Sequence, residues 1–201
     1  MKRLLPQLLL FDGATGAGKS SLLEHIRDEY SRRLYVGKKL TTRRKRVGDN
    51  DWEFRFVEYI PSLSTHYSYD SVGSKYAVNR DQLMETIGRG FVYAISCVDR
   101  RTMEQLVSEF TTKTIYVYRS WAETDFASLM ASRETSDQSE AQLRRDEVAS
   151  IPKDYQEKLH LYDHVLLNLG SMSGLFEQLS RIMLSYGITQ DRKELMAEAN
   201  L

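Results

Sequence analysis

Gly13–Ser20 reads GATGAGKS and follows directly on the apolar run Leu8–Phe11, LLLF. The stretch satisfies G-x-x-x-x-G-K-[ST], with Gly13, Gly18, Lys19 and Ser20 in its fixed places. Glycines let a backbone curl until successive N–H groups converge on one oxyanion. A helix starting where the loop ends adds the positive pole of its dipole. In such a loop the lysine reaches the β- and γ-phosphate oxygens of a nucleoside triphosphate, and the serine hydroxyl ligates Mg²⁺. Gly13, Ala14, Thr15, Gly16, Ala17, Gly18, Lys19, Ser20 and Ser21 therefore form the expected nucleotide cradle, Lys19 the catalytic cation and Ser20 the metal ligand. ATP and Mg²⁺ are the implied cofactors.

The flanking pattern agrees. Residues 20–30, SSLLEHIRDEY, place Leu22, Leu23 and Ile26 on one helical stripe. Phe91–Val98, Thr114–Tyr118 and His164–Asn168 read as further buried strands, and EFRFVEY and HYSYD alternate as short ones. Helices are expected at Asp81–Ile87, Arg101–Phe110, Trp121–Ser132, from Ala141, and at Ser173–Ser185. Gly37 to Asn50 reads as a polar, basic stretch. Strands spaced by helices predict an α/β fold of three layers with a mostly parallel sheet. Residues 37–90 and 121–150 break that alternation and read as inserted lobes, the first for an acceptor and the second a lid. The core is then 1–36, 91–120 and 151–187, with a helical tail at 188–201.

Composition narrows the function classes. The 28 basic and 28 acidic residues cancel, so no net basic field draws the chain to nucleic acid. Cys97 is the one cysteine, which rules out an intrachain disulfide and suits a reducing cytoplasm. His25, His66, His160 and His164 have no metal-ligand spacing. The opening MKRLLPQLLLF looks like a secretion signal only superficially, because Pro6 and Gln7 interrupt it and Asp12 ends it. No stretch approaches the ~18 apolar residues that a membrane helix needs.

The next decisive stretch is TTRRKRVGDN, residues 41–50. Arg43, Arg44, Lys45 and Arg46 read either as a solvated basic face or as guanidinium forks for an acceptor that carries its own phosphate. Here the chain resembles the guanylate kinase family of nucleoside monophosphate kinases. GATGAGKSSLL matches the family's phosphate loop, TTRRKRVGD its TTR-x-P-R-x-GE, and EFRFV its DY-x-FV. RETSDQSEAQLRRD resembles the arginine-bearing lid, and YDHVLLN the late strand written D-x-V-I-V-N.

The resemblance implies that Arg43, Arg46 and Tyr76 hold the acceptor's phosphate, with Phe54 beside them. It implies that Arg133 and Arg144 close over the ATP, although Arg144 also reads as a helix-surface arginine paired with Asp146 or Glu147. Asp99 has two readings: a carboxylate near Mg²⁺ and the acceptor oxygen, or the cap of the following helix. Cys97 reads as a small buried residue. The tyrosines Tyr59, Tyr67, Tyr69 and Tyr76 read as the core of a small lobe or as stacking partners of a base.

The departures from the family sort by job. Lys39 stands where a serine helps to read guanine, and Phe54 lacks a tyrosine's hydroxyl. Ala77 and Val78 replace Gly-Thr or Gly-Ser. The family's D-I-D falls on Ser96, Cys97 and Val98, and the acidic residue expected before Tyr76 falls near Tyr67 or Tyr69, or on Asp70 only in a shifted register. Phosphate-gripping positions are kept while guanine-reading ones are not, so the phosphorylated small-molecule acceptor need not be GMP. The alternatives are a sugar-phosphate kinase like the ribose 1,5-bisphosphate phosphokinases, a silent protein-binding module, and a P-loop nucleotidase or switch. Retention of Lys19 and Ser20 speaks for an enzyme.

Overall fold

A computed structural model describes residues 5–46, 48–61, 66–71, 73–97, 99–119, 128, 142, 143, 145, 146 and 159–192. The four apolar residues of LLLF open strand β1, Leu8–Asp12, and all four are fully buried. A continuous apolar run suits a strand covered on both faces, as parallel sheets require. β1 lies at the centre of a five-stranded parallel sheet ordered β2 (Leu34–Val36), β7 (Val92–Ser96), β1, β8 (Thr112–Tyr118) and β9 (His164–Leu167).

Side-chain alternation along β1 divides the core into two halves. Leu9 and Phe11 face a cluster with Leu22, Leu23 and Ile26 of helix α1 (Lys19–Glu29) and Leu175, Leu179 and Met183 of helix α4 (Met172–Ser185). Leu8 and Leu10 face the other cluster, with Leu83 of α2 (Arg80–Gly88) and Met103 and Leu106 of α3 (Arg100–Glu109). Helices cover both faces of the sheet, giving the three expected layers.

Residues 39–79 build a second sheet ordered β4 (Phe54–Phe56), β3 (Lys39–Thr41), β6 (Ser74–Asn79) and β5 (His66–Ser71). β3 pairs with β4 in parallel and with β6 antiparallel, and β5 and β6 form a hairpin.

Most strand and helix ends fall within about two residues of those expected from periodicity, but three strands, β2, β3 and β6, are not among those expected. β2 and β3 have three residues each, too few to show a period. β3 also lies in the polar, basic stretch, yet Lys39 and Arg43 there are only 4% and 7% exposed, not a solvated face. Ile188, the first residue of the segment read as a tail, is buried in the core. Just beyond it, Asp191 accepts a hydrogen bond from the Ser31 hydroxyl at 2.7 Å. The helices expected at 121–132 and from 141 fall almost wholly outside the described residues. No helix among those described is long and apolar enough to cross a membrane.

Candidate active site

The loop quoted at the outset leaves the carboxyl end of β1 and enters α1. Its first peptide is held from both sides. Asp12 Oδ1 accepts the Gly13 N–H at 2.6 Å, and Lys19 Nζ donates to the Gly13 carbonyl and to that of Ala14, the latter at 2.9 Å. Gly13 has φ +137°, and a Cβ there would lie 2.3 Å from the Val117 carbonyl oxygen, so only glycine fits. Asn168, just past β9, donates from Nδ2 to the Ala17 carbonyl at 2.8 Å and pins the loop's far side. The Tyr162 hydroxyl donates to the other oxygen of Asp12.

The helix starts differ in a telling way. Asn79, Asp99 and Ser171 cap α2, α3 and α4 with side-chain oxygens. α1 begins at Gly18 with no side-chain cap and no acidic residue in its first turn. A helix start without a side-chain acceptor at its cap is an arrangement that suits an anion.

A cavity of about 510 Å³ lies against this loop. Thr15, Gly16, Gly18, Lys19, Ser20 and Ser21 line one side, while Arg43, Arg46, Phe54 and Tyr76 line the other. The structure thus brings together the loop and the residues expected to hold an acceptor. Gly13, Ala14 and Ala17 shape the loop without lining the cavity. Arg133 and Arg144 lie outside the described residues. Asp99 does not line the cavity; its Oδ2 accepts the Thr102 N–H at 2.8 Å, so of its two readings the geometry displays the helix cap.

Arg43 is not a free fork. Its two terminal nitrogens meet the Asp49 carboxylate at 2.6 and 3.0 Å, and the same carboxylate accepts the Arg46 backbone N–H at 2.6 Å. Beneath the guanidinium lie the Phe54 and Phe56 rings, at 5.1 and 5.3 Å. Burial works against both charges, but the pairing outweighs it. The Arg43 pKa is raised, chiefly by the Asp49 hydrogen bond with Tyr76 adding to it, and the Asp49 pKa is lowered. The pair is ionised and its charges cancel.

Deeper in the same wall Lys39 donates to the Ser96 hydroxyl, to the Ser96 carbonyl at 3.2 Å, and lies 3.4 Å from Glu53 Oε1. Tyr69 and Tyr76 line the cavity with stacked rings, their centroids 5.4 Å apart. Burial, then Cys97 and Tyr76, push the Tyr69 hydroxyl well above its ordinary pKa, so it stays protonated. Tyr67 is committed elsewhere: its hydroxyl donates to Glu109 at 2.6 Å, and burial raises its pKa to about 12. Tyr59 is 71% exposed, and Asp70 is exposed on the hairpin. Burial raises the Cys97 thiol to about 12, which makes it an inert core residue.

Sequence reasoning passed over Asp12, Asp49, Glu53 and Arg119. Adjacency to the glycine loop could have singled out Asp12. Asp49 and Glu53 stand inside the matched stretches TTRRKRVGD and EFRFV, but the partners that pair with them are brought in only by folding.

No protein-family model and no curated protein sequence matches the chain. Among solved structures it is similar to the guanylate kinase from Anaplasma phagocytophilum, with a TM-score of 0.59 and 15% identity, over 98% of this chain and 96% of that one. Likeness at that identity speaks for architecture. The chain has a guanylate-kinase-like P-loop fold, with a five-stranded parallel sheet between helices.

Proposed function

We propose that the protein is an ATP- and Mg²⁺-dependent phosphotransferase that moves the γ-phosphoryl group onto a phosphorylated small molecule, a nucleoside monophosphate. The observation that carries this reading is that one and the same cavity has the glycine loop on one side and Arg46 and Tyr76 on the other. Five cations, Lys19, Lys39, Arg43, Arg46 and Arg119, line it against three carboxylates, Glu24, Asp49 and Glu53. That excess suits two anionic ligands brought face to face.

An acceptor phosphate oxygen attacks the γ-phosphorus in line, and the bond from that phosphorus to the β-bridging oxygen breaks, releasing ADP. Lys19 and the uncapped amides of α1 hold the triphosphate tail, while Arg46 and the Tyr76 hydroxyl orient the acceptor. Ser20, exposed at the start of α1 beside the cavity, suits Mg²⁺ as a hydroxyl ligand. When bound, the ion neutralises charge on the β- and γ-phosphates. Arg133 and Arg144 serve as lid arginines in this reading, and Asp99 serves α3 rather than the reaction.

ADP release from Mg·ATP, measured across nucleoside monophosphates and pentose phosphates, tests the proposal. Acceptor-dependent turnover with a monophosphate supports it. Binding of nucleotide without transfer to any acceptor returns the silent module, and turnover that ignores the acceptor returns a nucleotidase.

A further inference from the structure

Glu53 precedes β4, and its side chain is only 3% exposed. A carboxylate so deeply buried requires partners for both oxygens. One oxygen has them: Oε1 lies 3.4 Å from Lys39 Nζ and accepts from Ser96 Oγ at 3.4 Å. The other, Oε2, meets no hydrogen-bond donor among the described residues, although Glu53 lines the cavity.

Lys39 offers a ligand little in return. Its ammonium has three protons, and Ser96 Oγ, the Ser96 carbonyl and Glu53 Oε1 supply three acceptors. This end of the cavity thus holds a spare acceptor and no spare cation. Such a wall rejects a second phosphate or a carboxylate, and it accepts an N–H or O–H donor. Aromatic rings decide between those two. Phe54, Tyr69 and Tyr76 line the same cavity, and the faces of aromatic rings suit a flat heterocycle better than a puckered, hydroxylated sugar. The protonated Tyr69 hydroxyl stands nearby as a donor for a ring nitrogen or carbonyl.

We propose that Glu53 is the specificity-determining residue of the acceptor subsite, where its free oxygen takes an N–H of a nucleobase. This rests on the reading above that the acceptor is phosphorylated, and it names the group at the acceptor's other end. The family's guanine-reading positions are replaced in this chain, and Glu53, just before β4, supplies base recognition in their stead.

The test uses the full chain saturated with Mg²⁺ and a non-hydrolysable ATP analogue, which fills the loop. Calorimetry then measures binding of AMP, CMP, GMP, UMP, ribose 5-phosphate, ribose 1,5-bisphosphate, and the best nucleotide methylated at its base N–H. The best nucleotide binds at least tenfold tighter than ribose 5-phosphate, and methylation costs at least tenfold, as for an unmade hydrogen bond to a charged group. Glu53→Gln narrows both ratios to within about threefold and leaves the affinity for the ATP analogue unchanged. The double variant Lys39→Met with Glu53→Gln keeps the wall neutral and gives the same narrowing if the single variant folds poorly.

The inference is overturned if ribose 1,5-bisphosphate binds best, if no monophosphate binds, or if Glu53→Gln weakens nucleotide and ribose 5-phosphate equally. Phosphoryl transfer is scored separately. Base discrimination lost in Glu53→Gln, without transfer by the wild type, sinks the kinase reading and keeps this one. Transfer to acceptors without base discrimination does the reverse.

Discussion

The two walls of the cavity are made of different material. The loop wall is chiefly backbone: a glycine peptide held by Asp12 and Lys19, and a helix start left without a side-chain cap. The facing wall is side chains in pairs, Lys39 with Glu53 and Arg43 with Asp49, whose charges cancel before any ligand arrives. A backbone site is set by residue spacing, so it binds any polyphosphate tail of the right shape. A side-chain site is set by which strands meet, so it can change its ligand without changing the fold.

The largest expected effect falls on the loop wall. Lys19→Ala removes the one side-chain cation of the loop and lowers turnover about 10³-fold, the scale of a lost transition-state contact in a dry site. Its signature is one-sided: affinity for Mg·ATP falls while affinity for the monophosphate stays within a few fold, read by calorimetry on each ligand alone. If both affinities fall together, the walls are not independent and the contrast drawn above breaks.

The second effect belongs to the facing wall and is one of stability. Arg43→Ala leaves the Asp49 carboxylate, whose side chain is 14% exposed, without its guanidinium. Breaking such a pair costs about 3 kcal/mol, or roughly 9 °C in Tm for a chain of this size. Arg46→Ala should lower Tm by less than Arg43→Ala and raise the acceptor KM at least tenfold. Equal Tm losses in both variants would erase the division of labour between the two arginines.

The same pair gives a pH test. Asp49 has a folded pKa below the ordinary 3.8. Its contribution is therefore fully present above that value and is lost as pH falls through the folded pKa. Thermal melts of wild type and Asp49→Asn should differ by a constant amount between about pH 5 and 8 and converge below about pH 4. A gap that persists into acid would mean that the carboxylate's shape, not its charge, holds the loop.

That difference between walls also explains what was legible beforehand. The loop, β1 and α1 announced themselves because spacing and periodicity are local properties. Lys39 could not be read, because a lysine in a run of basic residues looks solvated until Glu53 and Ser96 close around it. Arg43 was expected to grip an acceptor directly; only the fold shows Asp49, six residues on, already in its fork. Strands β2 and β3 escaped for a simpler reason: three residues cannot display an alternation.

Asp99 carries the smallest expected effect and the sharpest distinction. It ends the segment after β7, where α/β sheets place their sites, yet its carboxylate is turned to the first turn of α3. Asparagine caps a helix about as well as aspartate, whereas alanine does not. If the cap is its whole role, Asp99→Asn leaves Tm and turnover essentially unchanged, and Asp99→Ala costs about 1 kcal/mol with turnover at saturating substrate kept. A carboxylate that served the reaction would reverse the ranking, with Asn losing turnover at full stability. Because the two variants separate charge from capping, a melt and a rate on each decide whether the carboxyl edge of β7 belongs to the reaction or to the scaffold.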